Sequence, residues 1–347
     1  MGIFMREWSA LYESRSGERG IFNREAAKSM APERRDNQYD FGVNPCAEIV
    51  LRPRQFCNLS EVVCREKDSL DDIRRKVEIA TIIGTVQSTL TEFRYLSPQW
   101  RRNTEEERLL GVSLTGIMDC PALMCCSDDE LKSLRDHAIK VNKKWAKKLD
   151  IPESAAITCV KPSGTVSQLV DSASGIHPRY NSYLIRRVRN DKKDPLSQML
   201  IDCGLPHHTD PYNSEAWVFE FPQKSPKSSL TRHDLGAIDH LEIWKKFAVN
   251  WCEHKPSVTI YVKEEEWMAV GAWIYSHWDI SSGISFLPSA DEAHSYESAP
   301  YEDCTIDTYK QMSKLIPSNI DWDSIIEEDD VTTSSQELAC VGGACEL

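Results

Sequence analysis

The sequence predicts an α/β fold. Short apolar runs of strand length alternate with stretches of helical periodicity, and turn residues punctuate the joins. A length of 347 residues allows one large domain or two ordinary ones with a sizeable core. Hydrophobic residues at 41% and charged residues at 27% are those of a soluble globular chain.

Taken in order, residues 14–44 are polar and turn-rich and read as loop with short helical pieces. NPCAEIVL then gives a tight turn at Asn44-Pro45 and a short extended run. Asp68 or Ser69 caps a long helix whose apolar positions Ile73, Val77, Ala80, Ile83, Val86, Leu90 and Phe93 recur at helical spacing. The width of that stripe predicts a largely buried helix. LLGVSLTGIMD (109–119) reads as a buried strand, and Ser127 with Glu130 forms a capping box opening a helix through Leu149. Residues 155–160, 217–221, 257–262 and 283–288 are strand candidates, PSGTVSQLV turns into a helix, and EEEWMAVGAWIYSHW is helical. No internal repeat is visible. From Asp321 onward there are eight carboxylates and no Lys or Arg, the composition of a flexible acidic tail.

Charge and composition exclude several roles. A net charge of −13 argues against duplex nucleic acid as a general partner, because phosphate contacts need a basic face. The sequence holds no run of eighteen apolar residues and its start lacks a signal-peptide core, so no membrane partner is expected and the compartment expected is the cytosol. Twelve cysteines in such a compartment do not form a disulfide framework. There is no CxxC pair, Cys120, Cys125 and Cys126 have no neighbouring His, and no metal site is expected. His177, His207, His208 and His254 read as structural. Redox or radical chemistry is then the functional use of some subset of the thiols.

Three stretches carry chemistry. The first is Asn44-Pro45-Cys46-Ala47-Glu48, followed by Cys57 eleven residues after Cys46. The i, i+2, i+4 spacing suits an extended loop that shows Asn44, Cys46 and Glu48 on one face. A carboxylate beside a thiol raises its pKa, which disfavours an ordinary cysteine nucleophile but not a thiol used as a radical. The plainer alternative is a buried cysteine in a turn with an unrelated glutamate. The second is VKPSGTVSQ, where a strand ends and a helix opens with free N–H groups suited to an anion; Ser163, Thr165 and Ser167 add hydroxyls, and an ordinary helix cap is the alternative. The basic run that follows (Arg179, Arg186, Arg187, Arg189, Lys192, Lys193) could assist a polyphosphate but reads as a solvated face. The third is ACVGGACEL, where Gly342 and Gly343 give Cys340 and Cys345 the freedom to close a small disulfide ring.

NPCAEI with a cysteine eleven positions later resembles the finger loop of ribonucleotide reductases. GERGIFNREAA, VKPSGTVSQLVDSASGIHPR, WCEHKPSVTIYVKEEEW, GISFLP and APYED extend the resemblance to the cobalamin-dependent class II, of ribonucleoside-triphosphate type. The resemblance implies the second half of a ten-stranded α/β barrel over residues 1–320, with a finger loop at 44–57, and a tail at 321–347 bearing a redox dithiol. It implies Cys46 as the thiyl radical that removes the 3′ hydrogen, Glu48 as base for the 3′ hydroxyl, Asn44 as holder of the ribose hydroxyls, and Cys57 as half of the reducing dithiol. Pro162, Ser163, Gly164 and Thr165 would hold the substrate phosphates, and Cys340 and Cys345 would recharge the interior dithiol from a thioredoxin-type reductant.

Class III members lack the cysteine at the Cys57 position, and class I members carry a tyrosine pair where this chain reads GISFLP. Class II implies adenosylcobalamin, although no DxHxxG motif is present. The family's N-terminal half, with the partner of Cys57, does not precede Asn44. A split subunit or a truncation is therefore expected, inactive until a complementary N-terminal chain joins it. A non-catalytic remnant, a diphosphate reductase, and a thiol oxidoreductase using only the tail dithiol are the competing readings.

Overall fold

The computed structural model describes residues 1–17, 19–289 and 297–325, together with the short strands at 340–341 and 344–345. The chain opens with α1 (Gly2–Ser14), β1 (Gly20–Ile21) and α2 (Arg24–Ser29), the last capped by the Asn23 side chain. A two-strand antiparallel hairpin follows, β2 (Gly42–Val43) and β3 (Val50–Leu51), with Val43 opposite Val50. Next come β4 (Asn58–Val63), α3 (Leu70–Gln87), α4 (Pro98–Glu107), β5 (Leu110–Thr115), the single turn α5 (Pro121–Met124) and α6 (Asp128–Leu149). Both capping boxes form, Ser69 with Asp72 and Ser127 with Glu130, so each helix starts where its cap dictates.

The expectation of a largely buried α3 fails on one side. Ile73, Val77 and Ala80 are buried, but Ile79, Ile83, Val86 and Leu90 are 58%, 56%, 44% and 71% exposed, and the helix stops at Gln87. Its apolar girth exceeds what β4, β5 and α6 cover, and a shallow groove lined by Ile82, Ile83, Val86 and Leu90 remains on the outside.

β6 (Thr158–Cys159) is shorter than the apolar run that predicted it. After α7 (Gly164–Leu169), the chain leaves the parallel pattern for β7 (Tyr183–Asp191), α8 (Pro195–Asp202), β8 (His207–Thr209) and β9 (Ala216–Lys224). It returns through α9 (Ala237–Asn250), β10 (Val258–Val262), α10 (Trp267–Ser276) and β11 (Ile284–Pro288). β12 (Tyr301–Asp303) and α11 (Ile306–Ser313) complete the body, and β13 (Cys340–Val341) pairs with β14 (Ala344–Cys345).

Five strands make one parallel series. β4, β5 and β6 are neighbours in parallel register. A parallel bridge from Val160 to Pro256 carries the series to β10, which runs parallel to β11. β1 covers the far side of β11 antiparallel over two residues, whereas β4 has no strand on its outer side among the described residues. One large core lies between these strands and the helices, from Leu114 and Val160 to Trp244, Trp251 and Phe286. Gly111 lets neighbouring side chains close over the strand: a Cβ there would sit 2.6 Å from Leu59 Cδ2 and 3.1 Å from Ile49 Cδ1, and those side-chain ends would have to shift.

β12, β7, β9 and β8 form a separate antiparallel sheet that the sequence reading did not anticipate. It also changes the meaning of the basic run. Arg187 pairs with Glu220 at 2.8 Å, Arg189 with Asp210, and Arg179 with Asp119 at 2.8 Å, each arginine being mostly covered. These are ion pairs of the fold, not a solvated face.

Candidate active site

Asn44–Ile49 closes the β2–β3 hairpin. Pro45 presets the turn at its second position, and the Ala47 N–H donates to Asn44 O at 2.9 Å. Ala47 takes a left-handed φ of 61°, so the segment is a tight turn and not the extended loop expected from the spacing. The three residues consequently separate. The Asn44 Oδ1 accepts from the Ile49 N–H at 2.9 Å and is committed to the turn. Cys46 is half-buried at the tip beside exposed Pro45, and Glu48 is fully buried.

The hairpin is seated by distant parts of the chain. The Lys255 N–H donates to Glu48 O at 2.9 Å. The Val50 N–H donates to His254 Nδ1 at 3.3 Å, while the other ring nitrogen faces Leu110 O at 3.0 Å, which fixes the tautomer. Burial, with Arg35 nearby, holds His254 well below the usual histidine range, so the ring is neutral at pH 7. Arg35 donates to Val50 O at 3.0 Å and makes a two-pronged pair with buried Glu107. Gln55 bonds the same carboxylate.

Glu48 faces Lys161. The ammonium donates to Glu48 Oε1 at 2.7 Å, and Glu48 Oε2 is buried with no hydrogen-bond partner among the described residues. Burial works against the charge on Lys161, but the bond and charge of Glu48 outweigh it and hold the lysine above its usual pKa. Cys57, half-buried just before β4, is pushed well above the ordinary thiol range, chiefly by burial and further by Glu48, with Arg35 and Lys161 opposing. It is a protonated thiol at neutral pH.

Lys161 also begins the VKPSGTVSQ turn. Its N–H donates to Ser113 Oγ at 2.9 Å, and its carbonyl lies against Gly175, whose φ is 52° and where a Cβ would come within 2.2 Å of that oxygen. Pro162 follows, Ser163 caps α7 in a left-handed conformation with φ 56°, and Gly164 and Thr165 open the helix. The Ser163 Oγ is buried without a partner among the described residues, and first-turn N–H groups have no intrahelical acceptor. The structure therefore joins the Cys46–Glu48 hairpin to the Ser163 turn through one ion pair. Cys340 and Cys345 stand opposite each other in the backbone register of β13 and β14; the remainder of the expected tail beyond 325 lies outside the described residues. Among the described residues, no group of three His, Cys, Asp or Glu side chains is placed to hold a metal, and no helix is long and apolar enough to cross a membrane.

Sequence reasoning missed Lys161, Arg35 and His254 as parts of this site. Lys161 had a signal in its position directly before the PSGT turn. Arg35 and His254 had none, since their roles depend on contacts 72 and 204 residues away in the chain.

No protein-family model matches the chain. Among curated proteins, it is 26% identical to the adenosylcobalamin-dependent ribonucleoside-triphosphate reductase of Lactobacillus leichmannii, across 96% of this chain and 50% of that one. It is 27% identical to a probable enzyme of the same name from Dictyostelium discoideum, across 88% and 40% of the two chains. The enzyme of that name from Euglena gracilis is 26% identical across 90% and 43%. The chain thus spans about half the length of the curated relatives it matches. In fold it is similar to a crystal structure of a B-12-dependent class II ribonucleotide reductase, with a TM-score of 0.77, 24% identity, and coverage of 90% of this chain and 48% of that one. It is less similar to the class Id ribonucleotide reductase alpha subunit of Actinobacillus ureae, at a TM-score of 0.53 and 15% identity. These relatives belong to the class whose motifs NPCAEI and VKPSGTVSQ resemble.

Proposed function

We propose that this chain is the catalytic-loop half of an adenosylcobalamin-dependent ribonucleoside-triphosphate reductase. The observation that carries the reading is the hairpin turn that holds a half-buried Cys46 two residues from a buried Glu48, one oxygen of which has no partner among the described residues, coupled through Lys161 to the Ser163 turn. In this reading the Cys46 thiyl takes the 3′ hydrogen atom of the ribose. Glu48 Oε2 accepts the 3′ hydroxyl proton, and the Asn44 amide group contacts the ribose hydroxyls. Cys57 and a thiol of the complementary chain supply two electrons and two protons, the 2′ oxygen leaves as water, and a disulfide forms. Cys46 then returns the hydrogen atom to C3′, and Glu48 returns its proton to the 3′ oxygen. The protonated state of Cys57 suits that role. Ser163, Gly164 and Thr165, with Pro162 shaping the turn, hold the triphosphate through N–H and hydroxyl donors.

Adenosylcobalamin, when bound, supplies the radical that oxidises the thiol. A half-buried thiol at the tip of a turn, beside exposed Pro45, fits that requirement, and β11 carries no tyrosine pair for a radical arriving from another subunit. Residues 1–320 form the reductase half, and 321–347 the acidic tail whose Cys340 and Cys345 exchange electrons with a thioredoxin-type reductant. The complementary N-terminal chain pairs with the open edge of β4 and covers the exposed apolar side of α3.

The test is Cys46→Ser in the chain assayed with adenosylcobalamin, nucleoside triphosphate, dithiol and a separately supplied N-terminal half. Deoxynucleotide formation is expected from the parent pair and none from the variant, with circular dichroism unchanged. Product from the Ser variant would refute the reading.

A further inference from the structure

We infer that Lys161 is a positioning residue that keeps Glu48 ionised while leaving one of its oxygens open, and that it ties this base to the phosphate turn. The inference rests on the proposed function for the role of Glu48, but its physical content does not.

A carboxylate with no exposed surface loses hydration and moves toward its neutral form unless a charge replaces the water. Glu48 has no exposure, and among the described residues one side-chain donor reaches it, the Lys161 ammonium at Oε1. Its charge is felt by the thiols of Cys57 before β4 and Cys159 on β6. The other cations near the hairpin are engaged elsewhere: Arg35 bonds Glu107 and Val50 O, and Lys255 gives Glu48 only its backbone N–H while its ammonium lies against Met30 Sδ. Among the described residues, Lys161 is thus the cation in contact with the Glu48 carboxylate.

The choice of lysine matters as much as its charge. An arginine fork bonds both oxygens of a carboxylate, as Arg35 does with Glu107. The ammonium of Lys161 meets one oxygen and leaves Oε2 bare, so the group is charged and still able to accept a proton. The stem of Lys161 is fixed from both sides, by Ser113 Oγ on its N–H and by the close approach of Gly175 to its carbonyl. The next two residues are Pro162 and Ser163, so a displacement of the phosphate turn displaces the ammonium with it.

The protonation state can be read without any activity. In the chain carrying ¹³C-labelled glutamate, infrared difference spectra at pH 7 of Lys161→Met are expected to show a protonated-carboxyl band absent from the parent, and Glu48→Gln in the same background removes it. Lys161→Arg is expected to keep the carboxylate ionised. With the N-terminal half supplied, Lys161→Met shifts the acid limb of the kcat/KM profile upward by at least about one pH unit, and activity recovers at high pH. Lys161→Arg loses activity at every pH. An ionised Glu48 in Lys161→Met, or full activity in Lys161→Arg, overturns the inference. If the infrared result holds but no pair of chains makes deoxynucleotide, the proposed function fails and the positioning role stands.

Discussion

Glu107→Gln isolates the contribution of charge to the seat of the hairpin. Arg35 and Glu107 are 4% and 6% exposed, and the guanidinium meets the carboxylate through Nε and Nη2 at 3.0 Å each. Its third donor holds Val50 O on β3, and its face lies 4.5 Å from the centre of the Phe41 ring. Glutamine keeps the shape and one acceptor, which Gln55 or Arg35 can use, but turns an NH₂ group toward the other guanidinium nitrogen. A buried cation is then left facing a donor, a change of about 3–5 kcal/mol. Because Arg35 grips β3 directly, much of that loss falls on the hairpin. The expected result is a lower urea midpoint, faster amide exchange at Val50 and Leu51, and faster alkylation of Cys46. The double variant Arg35→Met, Glu107→Leu removes both charges and recovers most of the stability while Val50 O stays unbonded. A Glu107→Gln midpoint within about 1 kcal/mol of the parent would refute this account.

Other perturbations have equally definite outcomes. Burial pushes Lys255 down to about 8, below its unfolded value, so the unfolded chain binds more protons between pH 8 and the unfolded pKa and stability rises with pH there. Lys255→Met is expected to stabilise by up to about 3 kcal/mol at pH 7, a gain that shrinks above pH 8; an equal gain at pH 7 and pH 10 in chemical denaturation rejects the assignment. Replacing Cys340 and Cys345 by serine leaves one turnover of pre-reduced enzyme intact and abolishes sustained turnover with a protein reductant, and normal steady-state rates would exclude the shuttle. Ile83→Glu on the exposed side of α3 weakens binding of the N-terminal half at least about tenfold, since covering one such side chain contributes about 1.5–3 kcal/mol. Calorimetry showing unchanged affinity would place that interface elsewhere.

The sequence made the parts of the fold governed by local rules legible. Ser69 and Ser127 begin α3 and α6 because capping boxes act within one turn, the unbroken apolar run around Val112 is a strand covered at every position, and the runs around Ile260 and Phe286 are strands with alternate positions buried. Of the antiparallel sheet, the core of β9 reads as a strand at 217–221, but β7 escaped notice because Arg186, Arg187 and Arg189 disguise it, and Arg187 and Arg189 are neutralised by Glu220, Glu302 and Asp210 far away. The outer side of α3 was misjudged because periodicity counts apolar residues without knowing what covers them. In the candidate site, Cys46 and Glu48 were legible from motif and spacing, but the left-handed Ala47 that separates them was not, since alanine carries no signal for that conformation.

The seat of the reactive turn has a consequence for how the chain acquires its structure. Glu48 is held from Lys255 and Lys161, Val50 from His254, and Ala47 by the close approach of Gly283. All but the Lys161 contact span about two hundred residues, and contacts of such separation form late because loop closure must precede them. We expect a nascent or half-folded chain to have Cys46 in place along the backbone but Glu48 hydrated and unplaced, so that thiol and carboxylate are not held in one rigid turn until β10 and β11 have docked. Pulse-labelled exchange during refolding should protect the Val50 amide no earlier than Ile260; earlier protection of Val50 would mean the turn assembles its own surroundings.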